Sequence, residues 1–429
     1  MRILTQAPVG SPQPVITKEI GGVRVTYAGT LTSAHDITLP DPVARIAPDA
    51  DGTAECGPSF PRGKIASYAA EGGALTLLSF DDTTEVARRF CPSGMPDLAQ
   101  LSLPVLQKAA SFAPDDMPSL VVLSLPVLEE VGYFGPTGMP ALTSLDTPLL
   151  CRAGAFAPSD MALLVALSAG ALTYAETVAP ADMPLLPSLL FPAMTGCGTF
   201  APRNMDLLAL LSADVLANLS GDLALIGLPA LASAIFTAVQ TVGGSVRIIG
   251  CSALPSFSLP NATSIGGLKI SDASALATVS TPLVETVAGD MEVSEIPLLG
   301  ALSFPALGSL DGHITITAAP ALASFSIPLC TSTAGDMVIH AANLTTVGIS
   351  SLISIGSGEK IDLSGCALSQ ASVDQVLEQV ALMDGTNGSG LFGEGKTLDL
   401  SGGTNSVPSE IGMVDMAIIS ARGAIIITN

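Results

Sequence analysis

Side chains able to do chemistry are few and scattered in this 429-residue chain. The three histidines, His35, His313 and His340, could act as general bases or metal ligands. His313 and His340 stand 27 residues apart, out of step with each other, and read as turn or solvated residues rather than ligands. Carboxylates are plentiful, and Asp115-Asp116, Asp160, Asp182 and Asp206 recur near a Met-Pro turn. They read first as turn formers, with a shared cation ladder as the sharper alternative. A carboxylate pair on adjacent segments could cleave a glycosidic bond, but such sites usually also carry aromatic and basic sugar-binding residues, and here there are four Tyr and no Trp. The seven cysteines, Cys56, Cys91, Cys151, Cys197, Cys251, Cys330 and Cys366, are odd in number and widely spaced. They give no disulfide framework and no CxxC metal site, so reduced, mostly buried thiols are expected. Gly243-Gly244 and Gly266-Gly267 read as turn residues, since no helix follows them to cradle a phosphate. Sequons at Asn218, Asn261, Asn343 and Asn387 carry little weight without an export signal. No catalytic, cofactor-binding or metal-ligating residue is assigned, and no cofactor is expected.

The elements that must position these groups are read from a repeat. A methionine recurs every 22 residues at Met95, Met117, Met139, Met161, Met183 and Met205. Three residues on come Leu98, Leu120, Leu142, Leu164, Leu186 and Leu208, and three further on Leu101, Leu123, Leu145, Leu167, Leu189 and Leu211. A last register holds Phe112, Phe134, Phe156, Val178 and Phe200. Apolar residues at a fixed period mean units that cannot bury one face alone and must stack on their neighbours. A degenerate first coil starts at Leu75, with Leu78 and Ser79 matching Leu101 and Ser102.

From Leu231 the anchors continue at Leu254, Leu276, Leu299, Leu322 and Leu344, spaced 22 or 23 apart. Here Phe-Ala-Pro gives way to a Gly-rich turn and an alternating strand, as in Val246-Arg247-Ile248, Leu268-Lys269-Ile270 and Met291-Glu292-Val293. Period-2 alternation places the apolar members inward and Arg247, Lys269, Glu292, Thr315, Val338 and Asp362 outward, in one parallel sheet. Before the repeat, Val15-Ile16-Thr17 and Val23 to Tyr27 flank Gly21-Gly22 and predict a hairpin. After it, Ser369 predicts a capped helix with Val373, Val376, Leu377 and Val380 on one face. A strand over Thr397–Leu400, a helix near Ser409–Ser420 and a strand over Ala424–Thr428 follow. The expected fold is mainly β: a leucine-rich-repeat-like solenoid of about 22–23 residues per coil over 73–366. Residues 1–72 are a β-rich cap or attachment region, and 367–429 a small α/β C-terminal cap.

The register LxxLSLPxL, followed by GGxLxI and a small residue (Cys251, Ser274, Pro297, Pro320, Asn343, Cys366), resembles the leucine-rich-repeat superfamily, and within it the receptor L-domain-like and BspA-like repeats of bacteria and phages. The phrase Leu398-Asp399-Leu400-Ser401-Gly402-Gly403-Thr404-Asn405 resembles the C-terminal ending of repeat proteins of phage particles and some bacterial surface proteins. The superfamily mostly binds other macromolecules, so the resemblance implies architecture and a binding or structural role.

Net charge is −22, with 16 Lys plus Arg and no basic cluster, so nucleic acid is not an expected partner. Apolar runs are broken well short of the ~20 residues that span a bilayer, and membrane insertion is not expected. Arg2 is not followed by an apolar core, so no secretory signal is read at the start. The expected role is a non-enzymatic structural or adhesive protein of a virus particle, a phage tail, fibre or decoration component presenting a rigid repeat rod. Particle subunits bound through the N-terminal region and a host-surface ligand are its expected partners, and the virion its location. The alternative is a bacterial leucine-rich-repeat binding or adhesion protein of the cytoplasm or cell surface.

Overall fold

A computed structural model describes residues 15–20, 23–30, 35–38, 43–46, 64–71, 74–356, 359–386 and 388–429. The chain is a mainly β parallel solenoid of about 13 turns, with about 22 residues per turn. Its residues group into two compact units, 1–172 with 180–186, and 173–179 with 187–429.

One coil explains the repeat. Gly94 has a left-handed backbone (φ 60°), and the next residue, Met95, opens a turn closed by the Leu98 N–H donating to the Met95 carbonyl at 3.2 Å. Strand Gln100–Ser102 follows. A second turn closes from Leu106 N–H to the Leu103 carbonyl at 3.3 Å, and strand Lys108–Phe112 completes the coil. Pro96 and Pro104 hold the same place in their turns, the second position, where a fixed φ near −65° is already right and no donor is lost. The same second turn recurs at Thr147–Leu150 (3.2 Å), Phe304–Leu307 (3.2 Å) and Ile327–Cys330 (3.1 Å). Proline suits this corner without being required, since Gly170, Asp214, Thr237 and Ser350 hold the same position in turns closed by Leu172, Leu216, Val239 and Leu352.

The registers read from the sequence face inward: the six repeat methionines and the anchors Leu98 to Leu208 are fully buried. In the first unit, parallel strands Lys108–Phe112, Glu130–Phe134 and Arg152–Phe156 align Phe on Phe. Rings of Phe90, Phe112, Phe134 and Phe156 stack with centroids 5.2, 5.7 and 5.4 Å apart. In the second unit Phe200 is buried but does not continue that geometry. It pairs in register with Val178, which offers no ring, and meets Phe191 and Phe236 edge-on at 5.6 Å.

The second unit carries a parallel ladder through Leu223–Ile226, Thr241–Ile249, Ser264–Ser271, Met291–Ser294, Ile314–Thr317, Met337–Ile339 and Lys360–Asp362. Two features depart from expectation. Gly243-Gly244 and Gly266-Gly267 lie inside continuous strands, with a bulge between Val242 and Ser245, and are not turns. A Cβ at Gly244 would sit 2.2 Å from Asp222 Oδ1 and 2.7 Å from the Gly221 carbonyl carbon, so glycine is demanded by the close approach of the coil below. The small-residue register also mixes three positions. Cys251 and Cys366 are buried directly after left-handed Gly250 and Gly365, whereas Ser274, Pro297 and Pro320 lie one place later and Asn343 two, all exposed. Coils of unequal length slide a sequence-counted column off the structural one.

Both ends extend the ladders. Val15–Ile20 pairs antiparallel with Val23–Thr30, which pairs antiparallel with Ala74–Phe80; Leu78 then aligns with Leu101 in parallel. His35–Thr38 pairs with Lys64–Glu71, which runs parallel to Glu85–Ser93. At the other end, helix α1 (Gln370–Ala381) is capped by the Ser369 hydroxyl, and Val373, Val376, Leu377 and Val380 are buried. Strand Thr397–Leu400, helix α2 (Glu410–Ala421, capped by Ser409) and strand Ile425–Thr428 complete two βα steps, both strands joining the same parallel ladder. Among the described residues no helix is long and apolar enough to cross a membrane.

Candidate functional site

Ionisable side chains gather at one corner of the second unit, just before the ladder strands. Asp290, His313, Asp336 and Glu359 follow one another at 23-residue spacing, which the comparison of His313 with His340 alone does not reveal. Each aligns above the last. Asp290 Oδ1 accepts the His313 backbone N–H at 2.8 Å, His313 Nδ1 accepts the Asp336 N–H at 2.9 Å, and Asp336 Oδ1 accepts the Lys360 N–H at 2.7 Å. The same device appears earlier, where Asp222 Oδ1 accepts the Ser245 N–H at 2.8 Å. Backbone donors that the glycine-rich break leaves outside the ladder are thus satisfied by the side chain one coil below. An accepting Nδ1 places the proton of a neutral His313 on Nε2.

The ligand-type atoms of His313, Asp336 and Glu359 all lie within 4.8 Å of one another. Glu359 is raised above the usual carboxylate range by its hydrogen bond to Asp336. Asp336 is lowered: burial would raise it, but the Glu359 hydrogen bond, the Lys360 N–H and the neighbouring positive groups outweigh that. The corner brings two carboxyls and an imidazole together, with His313 Nδ1 and Asp336 Oδ1 already engaged as acceptors of backbone N–H groups.

A second gathering lines an open groove of about 780 Å³. Asp272 and Glu295 on adjacent coils both adopt left-handed backbone (φ 53° and 55°), and Ala318 follows them (φ 48°). Glu295 is pushed up by a hydrogen bond to Asp272 and by its charge. Ser252 and Ser274 beside them donate to the Pro229 and Ser252 carbonyls, both at 3.2 Å.

The other singled-out residues are placed as follows. Asp116, Asp160 and Asp182 occupy the left-handed corner before each methionine (φ 50°, 54°, 57°), and their carbonyls accept the methionine N–H of the coil before: Met95 to Asp116 at 3.1 Å, Met139 to Asp160 at 3.2 Å. Asp206 is not one of them; Asn204 holds that position (φ 57°), and Gly138 does in its coil (φ 64°). Gly, Asp and Asn before every repeat methionine was the readable signal, since these residues best tolerate αL. Asp362, expected outward, is only 9% exposed. Ser364 gives it N–H and O–H bonds, and His340 Nε2 and Lys360 Nζ lie at 3.1 and 3.2 Å. Burial would raise its carboxyl, but these four partners bring it down to about 2. Lys269 pairs with Glu292, and Arg247 with Asp222 at 3.5 Å. Cys197, Cys251, Cys330 and Cys366 are buried, burial pushing the first thiol up to about 12 and the next two to about 11, while Cys91 and Cys151 are partly exposed. The His35 side chain and Cys56 lie outside the described residues.

The phrase Leu398 to Asn405 has a structural explanation. Asp399 Oδ1 accepts the Ser401 N–H and O–H, Gly402 and Gly403 take φ of 73° and 58°, and Asn405 is buried. Its amide accepts from Leu368 N–H at 2.8 Å and donates to the Leu363 and Leu400 carbonyls at 3.0 and 2.9 Å. Compared with known proteins, the chain matches no protein-family model and no curated protein sequence.

Proposed function

We infer that this chain is a non-enzymatic structural or adhesive component of a virus particle, a phage tail, fibre or decoration protein, related to leucine-rich-repeat solenoids. It attaches through the N-terminal region and displays its coils. The observation that carries the non-enzymatic reading is the polar corner. Asp222, Asp290, His313 and Asp336 each accept a backbone N–H from the next coil, so the ionisable groups that gather there fasten coil to coil. Support for the particle is the resemblance of the Leu398–Asn405 phrase. Because that phrase closes the fold around Asn405, it speaks for shared architecture and leaves ligand chemistry to the exposed residues. Purified particles from a producing host are the test: the protein is expected at a fixed copy number per particle, lost when residues 1–72 are deleted. Absence from intact particles sinks the reading.

The groove around Asp272 and Glu295 favours a second reading, a bacterial leucine-rich-repeat binding or adhesion protein whose ligand lies across adjacent coils. Cell fractionation that finds the protein on the bacterial surface, with no particle present, would select it.

A further inference from the structure

The first unit sorts its charges. All four basic residues of 74–172, Arg88, Arg89, Lys108 and Arg152, lie in strands Glu85–Ser93, Lys108–Phe112 and Arg152–Phe156. At the corner that carries the repeat methionines the charges are acidic. Asp116 and Asp160 stand exposed there, each directly before a buried methionine, and half-buried Asp182 continues the column. Past the methionines an apolar surface begins. Leu163 and Leu185 hold the third place of the Met161–Leu164 and Met183–Leu186 turns, and are 50% and 37% exposed. Ser119 and Ala141 fill that place in earlier coils, so the turn itself needs no large side chain. Val121 and Val165, the first residues after their turns, are 50% and 51% exposed. Each donates its N–H to the coil before, Val121 to Ala99 and Val165 to Thr143, both at 2.9 Å. Buried Leu164 separates Leu163 from Val165, so those two side chains share the outer side of the chain. Two apolar columns thus run coil over coil beside an acidic one.

We propose that this corner of the first unit is a docking surface for a basic amphipathic helix of a partner protein, laid along the stack of coils. The Leu and Val columns take the apolar stripe of the helix, and Lys or Arg on its flank meets Asp116, Asp160 and Asp182. Charge complementarity selects the partner's sign, because the corner's acids lie apart from the unit's basic residues. The same acids repel an anionic membrane surface. Spacing selects a helix. Its apolar stripe advances by ~5.4 Å per turn, close to the ~4.8 Å between stacked strands, so each turn meets about one coil. An added strand would present side chains to the surface every ~6.8 Å, out of step with the coils. Large apolar side chains exposed where small ones suffice are what such a partner would cover. The surface lies outside residues 1–72 and acts whether the chain belongs to a particle or to a bacterial surface.

Fluorescence anisotropy tests it, with a labelled Leu/Lys peptide of ~18 residues, leucines at i, i+3, i+4 and i+7, titrated with the 429-residue chain at ~0.15 M salt. Micromolar binding is expected, and a peptide of equal composition with Leu and Lys alternating should bind about tenfold more weakly. L163S/L185S leaves the charge unchanged, installs the side chain that Ser119 already carries in this turn position, and is expected to weaken binding about tenfold. D116N/D160N is expected to weaken it several-fold and to lower its salt dependence; Asn204 in the equivalent left-handed place shows that asparagine fits. D272N/E295Q removes two charges from the second unit and is expected to change affinity less than about twofold. Unchanged thermal unfolding checks that the variants fold. On the unmodified chain, carbodiimide cross-linking read by mass spectrometry should join peptide lysines to Asp116 and Asp160. No binding at ~100 μM, equal binding of the alternating peptide, equal losses in D116N/D160N and D272N/E295Q, or cross-links confined to other carboxyls each overturns the proposal. So does transfer of the chain to neutral phosphatidylcholine vesicles in preference to the peptide.

Discussion

Phe134 illustrates how a single side chain is fixed by its column. Its ring lies between those of Phe112 and Phe156, at 5.7 and 5.4 Å, and is fully buried. Truncation leaves a cavity that neighbouring coils cannot close without breaking two strand pairings. Phe134→Ala is therefore expected to cost ~3 to 5 kcal/mol, read from urea unfolding. Asp362 carries the pH dependence. Its folded carboxyl is held down to about 2 by Ser364, His340 and Lys360, below the ~3.9 of an ordinary Asp. A depressed folded value stabilises above the unfolded one, so its contribution, on the order of 2 kcal/mol, is complete above pH ~4 and is lost as pH falls toward ~2. Asp362→Asn should flatten the stability profile in that window. An unchanged acid limb would show that Ser364, His340 and Lys360 do not hold the carboxylate as described.

Elements here are short, most strands having two to five residues, so their stability comes from neighbours in the stack rather than from propensity. Corners decide where strands start: many carry proline at the second turn position, and Gly, Asp or Asn holds the left-handed place before every repeat methionine. In the C-terminal steps that role passes to a buried amide. Asn405 bonds Leu368, Leu363 and Leu400, tying the α1 entry to both flanking strands. Asn405→Ala would leave one buried donor and two carbonyls without partners, and is expected to cost several kcal/mol. Thermal unfolding with and without α1-specific hydrogen exchange protection would report it. A change within ~0.5 kcal/mol would mean that the phrase Leu398 to Asn405 owes its form to something other than closure.

At the scale of the molecule, the end steps matter because a parallel ladder always has two open edges. Deleting residues 367–429 would uncover the Lys360–Asp362 strand together with buried Leu363 and Cys366. The truncated protein is expected to aggregate, followed by light scattering. If it stays monomeric and melts as before, residues 367–429 are an appendage and not a cover.

The amino-acid sequence by itself determined the solenoid, the inward registers at Met95, Leu98 and Leu101, the capped helix at Ser369 and the second helix near Ser409. These are periodic or local, and a side chain that must face the core at every turn leaves its mark in the spacing. In the first half the alternation at Leu101-Ser102-Leu103 was legible and falls on strand Gln100–Ser102, but the second strand of each coil, as in Lys108–Phe112, was not, because its signal lies before the Phe and lacks the glycines that flag the later coils. The polar corner was hidden for a different reason. His313 meets Asp336 and Glu359 only when one coil rests on the next, and their constant 23-residue spacing carries no signal by itself because the residue type changes from coil to coil. Nor does alternation bury Asp362, since its partners His340, Lys360 and Ser364 converge through stacking and a local turn. Which groups meet across coils is set by the stacking register, and that register belongs to the tertiary structure.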